Sequence, residues 1–204
     1  MPKITQLSQL DFSKTYSYAD YLTWHFSEAV ELIKGKIMLM SPAPNVGHQV
    51  IERNLIIDIG TYLRGKKYQV FPAPFDVRLY DRQKSILANQ DIHSVVQPDA
   101  CVICNPDILD KQGCNGAPDW IIEILSKGNS KKEMHLKYAL YQESGVTEYW
   151  IIYPNDEVIH QFVLDENQRY QLKAMYIEDD VAVPHLFPDF SLDLKLIFES
   201  FNNK

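Results

Sequence analysis

The chain has 204 residues and the composition of an ordinary globular protein, with 46% hydrophobic and 23% charged residues. This length fits one large domain or a core with appended segments. The sequence shows no signal-peptide pattern at its start and no apolar run near the roughly 18 residues of a membrane span. A secreted or membrane protein is therefore not expected, and the odd count of three cysteines fits reduced thiols in the cytoplasm.

The net charge of −7 argues against loose, salt-sensitive binding to a polyanion. It does not exclude an enzyme that acts on phosphate groups, because metal ions bridge acidic side chains to phosphate and basic residues can be concentrated locally. Two basic clusters are candidates for such contacts, or alternatively for solvated helix ends: Arg64, Lys66 and Lys67, and then Lys127, Lys131, Lys132 and Lys137. We favour solvated helix ends for the first cluster.

The first part of the chain predicts a short helix, a hairpin and a long helix. Residues 17–26 predict the short helix, with Ser17 as its N-cap. Residues 29–40 predict two strands joined by a turn at Lys34-Gly35. Apolar residues at helical spacing predict the long helix over residues 46–63.

Apolar runs in the middle of the chain predict strands. Residues 68–80 predict a strand that has a bend or lies at an edge, because it contains Pro72 and Pro74. Residues 95–104 and 120–125 are compact and almost wholly apolar, as is typical of strands covered on both faces.

The second part of the chain predicts a crossover connection. Residues 130–144 predict a helix that stops at Gly145, and residues 148–153 predict a buried strand. A strand–helix–strand connection places its two strands parallel. The remaining predicted elements are a hairpin of residues 158–164 and 170–177, and a strand or helix within residues 190–198. The expected fold is an α/β (α+β) fold with a mixed central β-sheet flanked by helices.

Two carboxylates interrupt the apolar strands. Asp99 follows a proline within residues 95–104, and Glu123 lies within residues 120–125. A carboxylate in a buried strand is costly unless it is paired, hydrogen-bonded or bound to a metal. Two of them on neighbouring strands predict an oxygen-ligand site for a hard divalent cation. The alternative is that each acid lies at a strand end, solvated or paired with a lysine.

These acids belong to a longer series of motifs that resembles the PD-(D/E)XK nuclease superfamily and, within it, the Uma-two family of restriction-endonuclease-like proteins. The matching stretches are Glu31-Leu-Ile-Lys-Gly35, Ser41-Pro42 with His48, Val96-Gln97-Pro98-Asp99, Pro118-Asp119-Trp120-Ile-Ile-Glu123-Ile-Leu-Ser126, and Lys137 with Tyr141, Gly145-Val146 and Glu148-Tyr149-Trp150. The resemblance covers residues 18–154 in consistent order, and it is weaker over the last fifty residues.

The resemblance implies a single restriction-endonuclease-like domain over residues 1–204. Its nuclease core would span residues 46–154, with the N-terminal helix and hairpin and the C-terminal β-hairpin appended. It further implies an Mg²⁺-dependent endonuclease, with Mn²⁺ as a substitute, that hydrolyses phosphodiester bonds of DNA. RNA is not excluded as a substrate, and a homodimer is expected because cutting both strands of a duplex calls for two sites.

The resemblance also assigns the site residues. The metal would bind Asp99 and Glu123. Leu125 stands where the wider superfamily has its lysine, and the branch that this sequence resembles places the lysine on the following helix, at Lys137. The alternative for Lys137 is an exposed helix pair with Glu133, worth a few tenths of a kcal/mol.

Glu31 and His48 are further candidates for the catalytic site through the same resemblance. Glu31 would be an extra metal or water ligand, or alternatively a strand-edge acid paired with Lys36. His48 would contact phosphate or a metal-bound water, or alternatively cap the long helix. Glu52, also on this helix, is expected to be solvated.

Three other classes of function remain open at the level of sequence. A non-catalytic nucleic-acid-binding or assembly module would keep the fold, and Leu125 together with the acidic charge favours it. A glycosidase-type pair of carboxylates would need no metal. Cys101 and Cys104 have the spacing of a zinc knuckle, but they point to opposite faces of a strand and have no second matched pair.

Overall fold

The computed structural model describes residues 3–40, 45–80, 91–126 and 131–199. The helices are α1 (Tyr18–Tyr21), α2 (Val46–Leu63), α3 (Lys131–Ser144) and α4 (Leu194–Phe198). The strands are β1 (Val30–Ile33), β2 (Lys36–Leu39), β3 (Gln69–Pro72), β4 (Val77–Leu79), β5 (Ser94–Val96), β6 (Ala100–Ile103), β7 (Leu109–Asp110), β8 (Gly113–Asn115), β9 (Trp120–Ile124), β10 (Glu148–Tyr153), β11 (Val158–Leu164), β12 (Tyr170–Ile177), β13 (Val181–Ala182) and β14 (Leu192–Asp193).

A six-stranded central sheet runs in the order β12-β11-β10-β9-β6-β3. The pair β9–β10 is parallel, as the crossover through α3 predicts, and the other neighbouring pairs are antiparallel. Helices α2 and α4 pack on one face of this sheet around Trp120 and Trp150, while α3 packs on the other face around Tyr141 and Tyr149. The predicted mixed sheet flanked by helices is therefore confirmed.

A second six-stranded sheet was not predicted; its order is β2-β1-β5-β4-β8-β7. It exists because two stretches predicted as single strands, residues 68–80 and 95–104, are each divided between the two sheets. Prolines occupy both divisions, at Pro74 and Pro98. Proline has no N–H to donate and restricts the residue before it, so the chain leaves one sheet there and enters the other.

Local signals fix the helices near their predicted positions. Helix α2 has the bounds predicted from its apolar spacing, and the side chain of Asn45 caps it by accepting a hydrogen bond from the His48 N–H at 3.0 Å. Ser17 caps α1 as predicted, but α1 ends at Tyr21 rather than at residue 26. Gly145 ends α3 with a φ of 85°, a conformation that glycine adopts without steric cost.

Some predicted features lie outside the described residues: Ser41-Pro42, Lys127 and the first residue of the predicted helix over 130–144. Among the helices that the structure describes, none is both long enough and apolar enough to cross a membrane.

A fully buried carboxylate joins the C-terminal segment to the central sheet. Glu148 Oε1 accepts hydrogen bonds from Trp150 Nε1 at 2.7 Å, Gln161 Nε2 at 2.7 Å and the His185 N–H at 2.9 Å. Its other oxygen, Oε2, accepts from the Leu186 N–H at 2.9 Å. The four donors compensate the charge that burial would otherwise make costly, so the segment after β13 is fixed by Glu148.

We expect Glu148→Gln to lower the free energy of unfolding by about 1–3 kcal/mol, because an amide NH₂ would then face an N–H donor. Urea unfolding measures this change. The control is Glu166→Gln, which makes the same substitution at an exposed position of the β11–β12 turn. Equal stability of the two variants would show that the four hydrogen bonds contribute no net stability.

Candidate active site

Asp99 and Glu123 face one another across two neighbouring antiparallel strands. The register pairs Ala100 of β6 with Ile122 of β9, so Asp99, directly before β6, lies across from Glu123 within β9. The Ile124 N–H donates to Asp99 Oδ2 at 2.6 Å and fixes that carboxylate. Asp99 was predicted inside a continuous strand. The structure corrects this, because the break at Pro98 leaves Asp99 at the strand's beginning.

Lys137 extends from α3 into a buried position between two carboxylates. Its Nζ lies 3.0 Å from Glu123 Oε1 and 3.1 Å from Glu31 Oε1, and its side chain is 9% exposed. The alternative interpretation, an exposed helix pair with Glu133, is wrong because Lys137 is buried. Leu125 stands where a lysine was expected, and Lys137 on α3 brings the positive charge to Glu123 instead.

Charge and burial act together on the carboxylate and the ammonium group. Burial raises the pKa of Glu123 to about 7; Lys137 opposes the rise, and the negative charges of Asp99 and Glu31 add to it. Burial alone would lower the pKa of Lys137, but Glu123 and Glu31 outweigh it and hold that pKa above its usual range. Lys137 therefore carries a positive charge at neutral pH.

Glu31 joins the second sheet to this ion pair. It lies in β1 and is 2% exposed. Its Oε1 accepts from Lys137 Nζ at 3.1 Å and from the Gln97 N–H at 2.8 Å. The alternative pairing of Glu31 with Lys36 is wrong, because Lys36 Nζ donates instead to the carbonyl oxygens of Ser13 and Lys14.

His48 lies in the first turn of α2 and contacts Asp99. Its Nε2 is 3.2 Å from Asp99 Oδ1, and the residue is buried. Burial acts to lower the pKa of His48, but the hydrogen bond to Asp99 and that carboxylate's charge outweigh it, so the pKa is raised. The side chain that caps α2 is that of Asn45, so His48 does not have the capping role that was its alternative.

Sequence reasoning did not assign two residues that the structure brings to the site. Glu52 Oε2 lies 4.0 Å from His48 Nδ1, and burial together with the charge of Asp99 raises the pKa of Glu52. Its predicted solvated position is therefore wrong, and its place one helical turn after His48 was the available signal. Tyr141, one turn after Lys137, donates its hydroxyl to Glu123 Oε1 at 2.5 Å.

The oxygen atoms left at the centre fit a hard divalent cation. Lys137 and Tyr141 both donate to Glu123 Oε1, and no described residue donates to its Oε2. Asp99 is 20% exposed at its side chain, so solvent reaches it. No described group of three or more His, Cys, Asp and Glu side chains is arranged around a metal position. Two carboxylates are nevertheless enough for Mg²⁺, which keeps several of its waters.

The thiols of Cys101 and Cys104 do not form a metal centre. Cys101 packs in the core on the α3 face of the central sheet, whereas Cys104 packs against the core on the opposite face. The zinc-knuckle interpretation fails because these two side chains do not converge. All three cysteines are free.

The fold of this protein is similar to that of a putative nuclease of known structure. A crystal structure described as that of a putative nuclease belonging to DUF820, from Anabaena variabilis, matches with a TM-score of 0.67. The two chains share 21% sequence identity, and the match covers 89% of this chain and 97% of the other, so the likeness is one of fold.

The protein belongs to the Uma2 family. The family model, described as "Putative restriction endonuclease", matches residues 18–195, a longer stretch than the motifs alone indicated. No curated protein matches the sequence.

We expect Lys137→Met to destabilise the protein by about 3–5 kcal/mol, because Glu31 and Glu123 would remain buried without their cation. Urea unfolding measures the loss, and Lys132→Met, at an exposed position of the same helix, is the matched control. Without Lys137 the pKa of Glu123 in the folded state rises further above its unfolded value. The loss is then smallest below about pH 7, where Glu123 is protonated in both folded proteins, and it grows as the pH rises above about 7, where Glu123 ionises in the wild type only. A loss that does not change with pH would contradict this account.

Proposed function

We propose that the protein is a metal-dependent endonuclease that hydrolyses phosphodiester bonds of DNA. The observation that carries the proposal is the position of Asp99 opposite Glu123, with the buried Lys137 bonded to Glu123. Membership of the Uma2 family supports a nuclease with a restriction-endonuclease-like fold. DNA as substrate and Mg²⁺ as cofactor are parts of the proposal.

The carboxylate of Asp99 and the Oε2 atom of Glu123 would hold the cation, which is Mg²⁺ or, as a substitute, Mn²⁺. When bound, such an ion lowers the pKa of a water molecule and neutralises charge on the phosphate. The protein's own part is to keep both carboxylates in place. The Ile124 N–H fixes Asp99, and Lys137 fixes Glu123.

Lys137 supplies a positive charge next to the scissile phosphate. An ammonium group has three N–H donors, and the described carboxylates of Glu31 and Glu123 accept two of them. Among the described residues no further acceptor takes the third donor, which we assign to a phosphate oxygen as negative charge develops in the transition state. A preorganised donor in a site with little water stabilises such charge far more than the same donor in bulk solvent.

Glu31 and His48 support these groups. Glu31 is almost wholly buried and bonded to Lys137, so we assign it to holding the lysine rather than to binding the metal. His48 donates to Asp99 from Nε2, and its Nδ1 is buried with no hydrogen-bond partner among the described residues. We therefore assign His48 to orienting Asp99 rather than to contacting the phosphate.

The position of Lys137 weakens the case for an inactive module. Leu125 was the main argument that the chain kept only the nuclease fold, and a lysine from α3 reaches Glu123 instead. A glycosidase-type pair has no comparable support, because the family model is one of endonucleases.

We expect the purified protein to nick or linearise supercoiled plasmid in Mg²⁺ or Mn²⁺ and to lose this activity in EDTA. Asp99→Asn should lower the rate by at least about 100-fold, since it removes a charged ligand of the metal. Glu166→Gln, an exposed change, is the control, and a structured RNA of similar length tests the choice of substrate.

Equal cleavage by wild type and Asp99→Asn would identify a contaminating nuclease. Calorimetric titration with Mn²⁺ separates the two main hypotheses. A wild-type protein that binds Mn²⁺ neither in the absence nor in the presence of DNA would leave only the non-catalytic module.

We also propose that residues 1–204 form a single domain, with a nuclease core over residues 46–154, that acts as a homodimer in the cytoplasm. The buried contacts of Glu148 with residues 185–186 support one domain, because they join the C-terminal segment to the core. The three free cysteines fit a reducing compartment.

Two sites related by a two-fold axis would allow both strands of a duplex to be cut. Light scattering at micromolar concentration should then give twice the 23.7 kDa mass of the chain. A monomeric mass, with nicks in one strand only, would overturn the dimer.

A further inference from the structure

Tyr141 is the one wholly buried hydroxyl that contacts Glu123 within the described part of the chain. Its oxygen lies 2.5 Å from Glu123 Oε1, the same atom that Lys137 contacts at 3.0 Å. Lys137 and Tyr141 are one helical turn apart on α3, so a single face of this helix delivers both donors. None of the roles proposed above uses the tyrosine.

The two donors together restrict the carboxylate more than the lysine does alone. An ammonium group is a compact point charge on a flexible stem, and by itself it does not distinguish between the two oxygens of a carboxylate. A phenol hydroxyl is directional, and the ring of Tyr141 is held in the core. It packs edge-on against Tyr149, with the ring centroids 5.1 Å apart and an interplanar angle of 74°.

Tyr141 is wholly buried, and its hydroxyl donates to Glu123 Oε1. With the ring fixed, the phenol directs Oε1 of Glu123 towards α3. The remaining oxygen, Oε2, then lies away from α3.

We propose that Tyr141 is a positioning residue for the metal site: it fixes the rotation of the Glu123 carboxylate so that Oε2 is the oxygen presented to the cation. This inference rests on the proposed function, since it concerns how Glu123 is held for a metal. It assigns Tyr141 no contact with substrate and no share in proton transfer. Loss of the hydroxyl should therefore weaken metal binding, and it should change the rate of the catalytic step at saturating metal much less.

The test compares Tyr141→Phe with Tyr170→Phe. Both variants lose one buried tyrosine hydrogen bond within the same aromatic cluster, because the Tyr170 hydroxyl donates to the Val146 carbonyl at 2.9 Å. The first variant removes a contact with Glu123 and the second does not. Both changes leave the ring in place, so neither opens a large cavity.

Mn²⁺ binding is the first readout, measured by calorimetry on the full-length protein without DNA. We expect Tyr141→Phe to raise the dissociation constant for Mn²⁺ by about 10- to 100-fold, the range typical of groups that orient a metal ligand. Tyr170→Phe should bind Mn²⁺ as wild type does. Urea unfolding with and without Mn²⁺ gives the same comparison for a destabilised variant, because ligand binding shifts the unfolding equilibrium.

Plasmid cleavage at increasing Mn²⁺ concentration is the second readout. The half-saturating metal concentration should rise in Tyr141→Phe, while the rate at saturating metal should change much less. A purely structural tyrosine would instead leave the half-saturating concentration unchanged.

The outcomes separate this inference from the proposed function. If wild type binds Mn²⁺ and cleaves, and Tyr141→Phe has wild-type metal affinity, the positioning role is overturned and the endonuclease stands. The role is likewise overturned if Tyr141→Phe and Tyr170→Phe weaken metal binding equally. If wild type neither binds Mn²⁺ nor cleaves, both proposals fall.

Discussion

The ion pair of Lys137 with Glu31 and Glu123 is the interaction on which the arrangement of the site depends. Each carboxylate comes from a different sheet, and the lysine comes from helix α3. Two buried carboxylates without a cation would repel one another and raise each other's pKa, so the close approach of Glu31 and Glu123 requires the lysine. The same charge that permits this packing is the one proposed to act on the phosphate, so stability and function are joined in one side chain.

The local signals in the sequence predicted most of the elements. Helix α2, strand β10 and the β11–β12 hairpin have their predicted bounds, because apolar spacing and turn residues act over short distances. The second sheet was missed because it depends on where two apolar stretches break. Pro74 and Pro98 mark these breaks, but a proline in an apolar run equally allows a bend or an edge strand, and only pairing with distant strands decides.

The site was predictable to a different degree for each residue. Asp99 and Glu123 stand out as acids in apolar surroundings, whereas Lys137 was identified only through the family resemblance, since an exposed pair with Glu133 fits its helix equally well. Glu52 was placed in solvent, because its position one helical turn after His48 was the available local signal and does not by itself show that this turn of α2 faces another carboxylate. Long-range packing determines these contacts, and a single sequence does not encode it as a local pattern.

The break at Pro98 has a mechanical consequence. The residues on either side of Pro98 each make a hydrogen bond at the site. The Gln97 N–H donates to Glu31 of the second sheet, and the Asp99 carboxylate accepts from the Ile124 N–H of the central sheet. This short peptide therefore joins the two sheets at the site. A displacement of one sheet relative to the other would strain the hydrogen bond from Gln97 to Glu31 or the one from Ile124 to Asp99, so the peptide at Pro98 limits how far the sheets can move apart here.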